Sequence, residues 1–139
     1  EQFISALQLA ALRGVDVRLM VPRRSDSLVV SAAARSYYDE LIAAGVRIDE
    51  YKDRMLHSKT LVIDDNCAFI GTANFDNRSF RLNFEVTALV YSKRIAEELA
   101  ANFERDLSDA KQVTVASRLR LPLSRRLFEG GARVLSPLL

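Results

Sequence analysis

The chain has 139 residues, 49% of them hydrophobic and 27% charged, with a net charge of +2. That length suits one domain with a real core, and the charge is too small to demand a nucleic acid as partner. A single cysteine, Cys67, excludes an internal disulfide and a cysteine-rich metal site, and no apolar run approaches the ~20 residues that a transmembrane helix needs.

In chain order, Phe3, Ile4, Leu7, Ala10 and Ala11 fall at helical spacing over residues 2–13, and Gly14 is a natural cap behind them. The chain begins inside this pattern without an initiator Met and so reads as part of a longer protein. Val15, Val17, Leu19 and Val21 alternate as a strand ended by Pro22. Val29, Ala33, Tyr37 and Leu41 predict one helix over 29–44, capped by Gly45, and Val46 and Ile48 open another strand. Helix, glycine and strand thus occur twice, which argues for an α/β layered fold. Strands are predicted over 57–64, 67–70 and 84–91, with Asp65-Asn66 turning between the first two. Ser92 N-caps a helix over about 93–110, with Ile95, Leu99, Phe103 and Leu107 on its buried face and Lys93–Glu97 and Arg94–Glu98 pairs outside. Residues 1–115 read as the folded domain. Residues 116–139 read as a basic, amphipathic C-terminal tail, with Arg118, Arg120, Arg125, Arg126 and Arg133 against Glu129. That tail could lie on an anionic membrane surface, or pack on the domain as a short helix; Pro122 and Gly130-Gly131 interrupt any long amphipathic face.

The chemistry concentrates between residues 57 and 85. His57 is the sole histidine, and the spacing from it runs H-x-K-x4-D-x6-G-T-x-N through Lys59, Asp64, Gly71, Thr72 and Asn74. On a strand, His57 and Lys59 point the same way and Asp64 the other, which makes Asp64 a positioning group. Gly71 would let the backbone approach an anion closely. Cleaving a phosphodiester calls for a nucleophile, donors for the non-bridging oxygens and an acid for the leaving oxygen. Neutral His57 can attack phosphorus, while Lys59, Thr72 and Asn74 supply donors. The other imidazole nitrogen needs a carboxylate to hold its tautomer, and Glu85 is the candidate. Arg23 and Arg24 follow a strand's C-terminal end, where they could bind a headgroup phosphate. A metal-dependent hydrolase built on Asp64, Asp65 and Asp76 would need more ligands on one face than this pattern offers, so neither metal nor cofactor is expected.

The H-x-K-x4-D-x6-G-[ST]-x-N pattern resembles the HKD motif of the phospholipase D superfamily. Met55 to Thr60, Gly71 to Asn74, and Arg78-Ser79-Phe80 with Asn83-Phe84-Glu85 look like the second HKD half of bacterial cardiolipin synthases, as does the terminal Leu135-Ser136-Pro137-Leu138-Leu139. The resemblance implies a phospholipase D-like layered α/β/α sandwich, with a mixed sheet flanked by helices and carrying one HKD half. It implies a phosphatidyltransferase that moves a phosphatidyl group between phospholipids through a phosphohistidine, with His57 as nucleophile or general acid and Glu85 hydrogen-bonded to it. The implied substrate is a phosphatidylglycerol-like phospholipid, and the implied location is the bacterial cell membrane. The family's site needs two such motifs, so the partner is a missing N-terminal half or a second copy. The alternative is a single-motif phosphodiesterase or nuclease that works as a homodimer.

Overall fold

The computed structural model describes residues 2–23, 27–52, 56–74, 76, 79 and 82–135. Helix α1 (Gln2–Leu12) runs into Gly14, and helix α3 (Tyr38–Ala43) into Gly45. Both glycines have φ near the left-handed region, +90° and +99°. Around each the chain closes a Schellman motif: Gly14 and Val15 donate to Ala11 and Ala10, Gly45 and Val46 to Ile42 and Leu41, at 2.9–3.1 Å. Each motif turns the chain sharply towards a strand, β1 (Arg18–Pro22) and β2 (Arg47–Tyr51). The two strands pair in parallel from Arg18↔Arg47 to Pro22↔Tyr51. The repeated helix–glycine–strand unit is therefore present as the spacing predicts.

The helix expected over 29–44 is two helices. Helix α2 (Leu28–Arg35) is N-capped by the Ser27 hydroxyl, which accepts from the Val30 amide. It ends at Ser36, whose hydroxyl donates to the Ala33 carbonyl at 2.6 Å, and α3 starts afresh at Tyr38. A serine bonded back to its own turn competes with the helical ladder, which periodicity does not report. Tyr38, Leu41, Val46 and Ile48 form the buried core, with Ile4, Leu7, Ala11, Leu19 and Val113 packed around them.

A second, antiparallel sheet follows: β3 (Thr60–Ile63), β4 (Cys67–Gly71) and β5 (Thr87–Tyr91), in that order. Its last strand starts three residues later than the pattern from Phe84 suggested. Ser92 donates its amide to Asn66 and caps helix α4 (Lys93–Asp106). Ala96 is the fully buried residue of α4, with Ile95, Leu99 and Phe103 half-buried beside it. The Lys93–Glu97 pair forms at 3.7 Å, whereas Arg94–Glu98 does not among the described residues. Helix α4 stops short of residue 110, in a 3₁₀ turn at Leu107–Asp109. Strand β6 (Ala110–Val113), which the helical reading overlapped, then adds antiparallel to β2 and completes a mixed sheet β1-β2-β6.

Two helices follow residue 114. Thr114 and Ser117 form a reciprocal capping box for α5 (Val115–Leu119), and α6 (Leu123–Leu135) packs on α2. Ala132 lies buried against Ala32 and Ala33. Arg118 is buried between helices, donating to Asp39 at 2.8 and 3.1 Å and facing Glu129 at 2.8 Å. The last contact is an ion pair without hydrogen-bond alignment. Helix α6 runs unbroken through Gly130-Gly131, with Pro122 immediately before its first residue.

Candidate active site

The motif residues other than Asp64 gather at one end of the antiparallel sheet. The ladder between β3 and β4 begins one residue before β3, where Gly71 donates its amide to the Lys59 carbonyl at 3.0 Å. Lys59 Nζ donates to the His57 carbonyl at 2.7 Å, folding the cation back beside the histidine backbone. His57 itself is exposed, and its ring has no hydrogen-bond partner among the described residues.

Across the sheet end, Thr72 and Val86 continue the β4–β5 pairing, the Thr72 amide donating to the Val86 carbonyl at 3.0 Å. The Thr72 hydroxyl donates to Glu85 Oε2 at 2.5 Å and accepts from the Val86 amide at 3.0 Å. Asn83 Nδ2 donates to Glu85 Oε1 at 3.3 Å. These bonds, that from Thr72 first, then Asn83 and Ser79, together with the Lys59 charge, hold the Glu85 carboxyl below the usual carboxylate range. Glu85 is thus a fixed anion facing a lysine at the end of the sheet. It does not bond His57 in this structure, contrary to the expected orienting contact. Its partners are Thr72 and Asn83, which lie beside it in the ladder and in its own segment.

Thr72 accordingly differs from its expected use. A hydroxyl has one proton to donate, and here Glu85 takes it. Asn74 fits a phosphoryl donor better, because its carboxamide is exposed and makes no hydrogen bond among the described residues. The Asn74 backbone is held instead, its amide donating to Ser79 Oγ at 3.1 Å, while the Ser79 amide donates to Asp76 Oδ1 at 2.7 Å.

Three expectations from strand reasoning change. Asp64 is on no strand face: it occupies the turn Asp64–Asn66 with φ +52°, a conformation Asp tolerates better than most residues. The turn is at the far end of the hairpin from His57, about 20 Å away at ~3.3 Å per residue. Its carboxylate has no hydrogen-bond partner among the described residues. Gly71 makes room for a neighbouring strand, since a Cβ there would come 2.5 Å from Thr87 Oγ1 and 2.8 Å from the Val86 carbonyl oxygen. Arg23 is exposed, with its carbonyl accepting from Arg35 at 2.6 Å, and no hydrogen bond or ion pair joins it to the described residues of the 57–85 cluster. Arg24 lies outside the described residues.

Ser79 and Asn83 belong to the stretch that carries the family resemblance but had no role assigned from the sequence, yet both hold the site. Ser79 is buried and ties Asn74 and Glu85 into one network. A signal existed: Asp76-x-x-Ser79 has the spacing of a side-chain cap, which orders a turn whatever lies beyond it.

Comparison with known proteins identifies the family. Residues 1–107 match the family described as cardiolipin synthase, phospholipase D-like domain. The chain is 47% identical over all 139 residues to a cardiolipin synthase of Geobacillus sp. (strain WCH70), and 43% identical over 136 residues to the major cardiolipin synthase of Bacillus subtilis (strain 168). It covers 28% of each of those relatives and 100% and 98% of itself, respectively. Among solved structures, the phospholipase D family member Nuc from Salmonella typhimurium superposes with a TM-score of 0.70 at 21% identity, covering 79% of this chain and 72% of that one. Phosphatidylserine synthase from Haemophilus influenzae Rd KW20 gives 0.65 at 13% identity, over 99% of this chain and 38% of that one. These two show the fold; the family model matched over residues 1–107 makes the chain a member of the cardiolipin synthase, phospholipase D-like domain family.

Proposed function

We propose that this chain supplies one catalytic half of a cardiolipin-synthase-type phosphatidyltransferase. The observation that carries the reading is the cluster itself: the His57 imidazole and the Asn74 carboxamide, neither with a hydrogen-bond partner among the described residues, and the Lys59 cation, beside an anion at Glu85 held by Thr72, Asn83 and Ser79. The donors would neutralise charge growing on the non-bridging oxygens.

The cluster holds one imidazole, and the reaction needs two. One imidazole nitrogen attacks phosphorus, forming an N–P bond as the P–O bond to the departing alkoxide breaks. The other imidazole protonates that alkoxide, which is a poor leaving group without the proton. The acceptor's hydroxyl then gives its proton to the second imidazole while its oxygen attacks phosphorus and the N–P bond breaks. Water kept out of the site makes this transfer and not hydrolysis. The second imidazole comes from a further segment, such as the other half of a longer chain. The apolar surface beside Glu85 supports that assembly: Phe84, Val86, Leu89 and Tyr91 are all exposed on or next to the edge strand β5.

The test is to purify the 139-residue chain, fix its mass by light scattering, and assay it with phosphatidylglycerol and with a generic phosphodiester. An inactive monomer is expected. An active monomer refutes the two-half mechanism, and a homodimer that hydrolyses the generic diester but leaves lipid untouched transfers the assignment to a phosphodiesterase.

A further inference from the structure

Helix α6 has two faces of opposite character. At about 100° per residue, Glu129 and Ala132 project towards the body of the protein, and Leu123, Leu127 and Val134 fall within about 40° of one another on the opposite side. The positions agree with their burial: Glu129 and Ala132 are 3% and 4% exposed, whereas Leu123, Leu127 and Val134 are 71%, 66% and 78% exposed. Helix α5 extends the apolar surface through Val115 and Leu119, both exposed. Leu119 and Val115 also line an open groove of about 260 Å³ with Ile42, Ala43, Arg126 and the paired Asp39 and Arg118.

Among the described residues the unpaired charges on this surface are of one sign, since the half-exposed Asp39 and Glu40 beside it already pair with Arg118 and Arg133. From residue 112 onward Glu129 is the sole acidic residue, against five arginines. Glu129 faces inward, and Arg118, Arg125 and Arg133 are engaged by Asp39, Glu129 and Glu40. Arg120 and Arg126 remain exposed, with no salt bridge among the described residues, although the Arg126 charge is felt by Asp39.

We propose that the α5–α6 face rests on an anionic lipid bilayer, with Leu119, Leu123, Leu127 and Val134 entering the interface and Arg120 and Arg126 pairing with lipid phosphates. Charge complementarity selects this occupant. A second copy meeting the same face about a twofold axis would bring Arg120 and Arg126 against arginines, with Asp39 and Glu40 already paired within their own chain. An anionic bilayer meets both halves of the surface at once. The opposite face of α6 is buried on α2, so the contact would fix how the whole protein is oriented on the membrane. This inference rests on the surface alone and not on the phosphatidyl-transfer reading.

The experiment is flotation of the 139-residue chain with vesicles of equal parts phosphatidylglycerol and phosphatidylcholine, and with phosphatidylcholine alone. Binding to the anionic vesicles is expected, weakening as salt rises. The L123S/L127S variant should bind at least about tenfold more weakly, since two exposed leucines lose their burial. Arg120→Gln and Arg126→Gln should each cost roughly fivefold on the anionic vesicles, the equivalent of ~1 kcal/mol per cation near the surface. An L89S/Y91S variant, altered on the other apolar surface, should float like the parent. The arginine variants change exposed side chains and keep the test decisive if circular dichroism shows the leucine variant unfolded. Parent-like flotation of the folded variants overturns the proposal. So does loss of binding in L89S/Y91S alone, or a dimer by light scattering that L123S/L127S dissolves.

Discussion

Removing Arg118 should cost far more than removing any other arginine in the chain. The Arg118 and Glu129 side chains are 9% and 4% exposed and 2.8 Å apart, so both charges are out of water. Arg118→Met leaves Glu129 buried with only Arg125, half-exposed at 3.4 Å, as a cation. Breaking a buried pair by deleting one partner costs about 3–5 kcal/mol, and the lost contact with the Tyr38 ring adds roughly 0.5–1 kcal/mol. Glu129→Leu is milder, about 1–3 kcal/mol, because Arg118 keeps two hydrogen bonds to Asp39. The double variant R118M/E129L should return to within about 1 kcal/mol of the parent, since no buried charge is left and Asp39, half-exposed, is solvated. Urea unfolding followed by circular dichroism measures all four corners of the cycle. Strict additivity of the two single changes, or a cost below about 0.5 kcal/mol for Arg118→Met, would refute this anchoring of the C-terminal helices.

In an active enzyme assembled as proposed, His57→Ala should abolish turnover with a native circular dichroism spectrum, and Lys59→Ala and Asn74→Ala should each lower kcat by about 10²–10³, as for lost oxyanion donors. Gly71→Ala should destabilise the fold by about 1–3 kcal/mol, because its Cβ meets the Val86 carbonyl oxygen at 2.8 Å; adding Thr87→Ala should recover only part of that in urea melts. The Glu85 carboxyl is held low chiefly by Thr72, so its stabilising bonds persist above the ordinary Glu range and are lost as pH falls through the depressed folded value. Thr72→Val should move the Glu85 titration, followed by carboxyl-carbon NMR, back up towards that range, and an unchanged midpoint would show that Thr72 is not the cause.

Much of the fold could be read from local chemistry. Gly14 and Gly45 announce two helix-to-strand turns because positive φ suits glycine, and Ser92 announces a helix start because its hydroxyl satisfies a free amide. The motif spacing likewise singled out His57, Lys59 and Asn74 as candidates, with Glu85 as a candidate orienter, since those residue types serve phosphoryl chemistry wherever the chain places them. Long-range placement was another matter. Strand parity put Asp64 on a face, but the backbone gave it to a left-handed turn, a choice set by the register Ile63↔Cys67 between two strands. Gly71 was read as room for a ligand, and the tertiary fold fills that room with Thr87 and Val86. Strand β6 exists because β2 has an open edge for residues 110–113 to pair with, and short polar strands such as Ala110–Val113 carry little signal of their own. The arginines of the C-terminal segment look alike in sequence. Only packing separates Arg118, buried because Asp39 and Glu129 converge on it from 79 residues upstream and from the next helix, from Arg120 and Arg126, which no carboxylate meets at salt-bridge distance among the described residues.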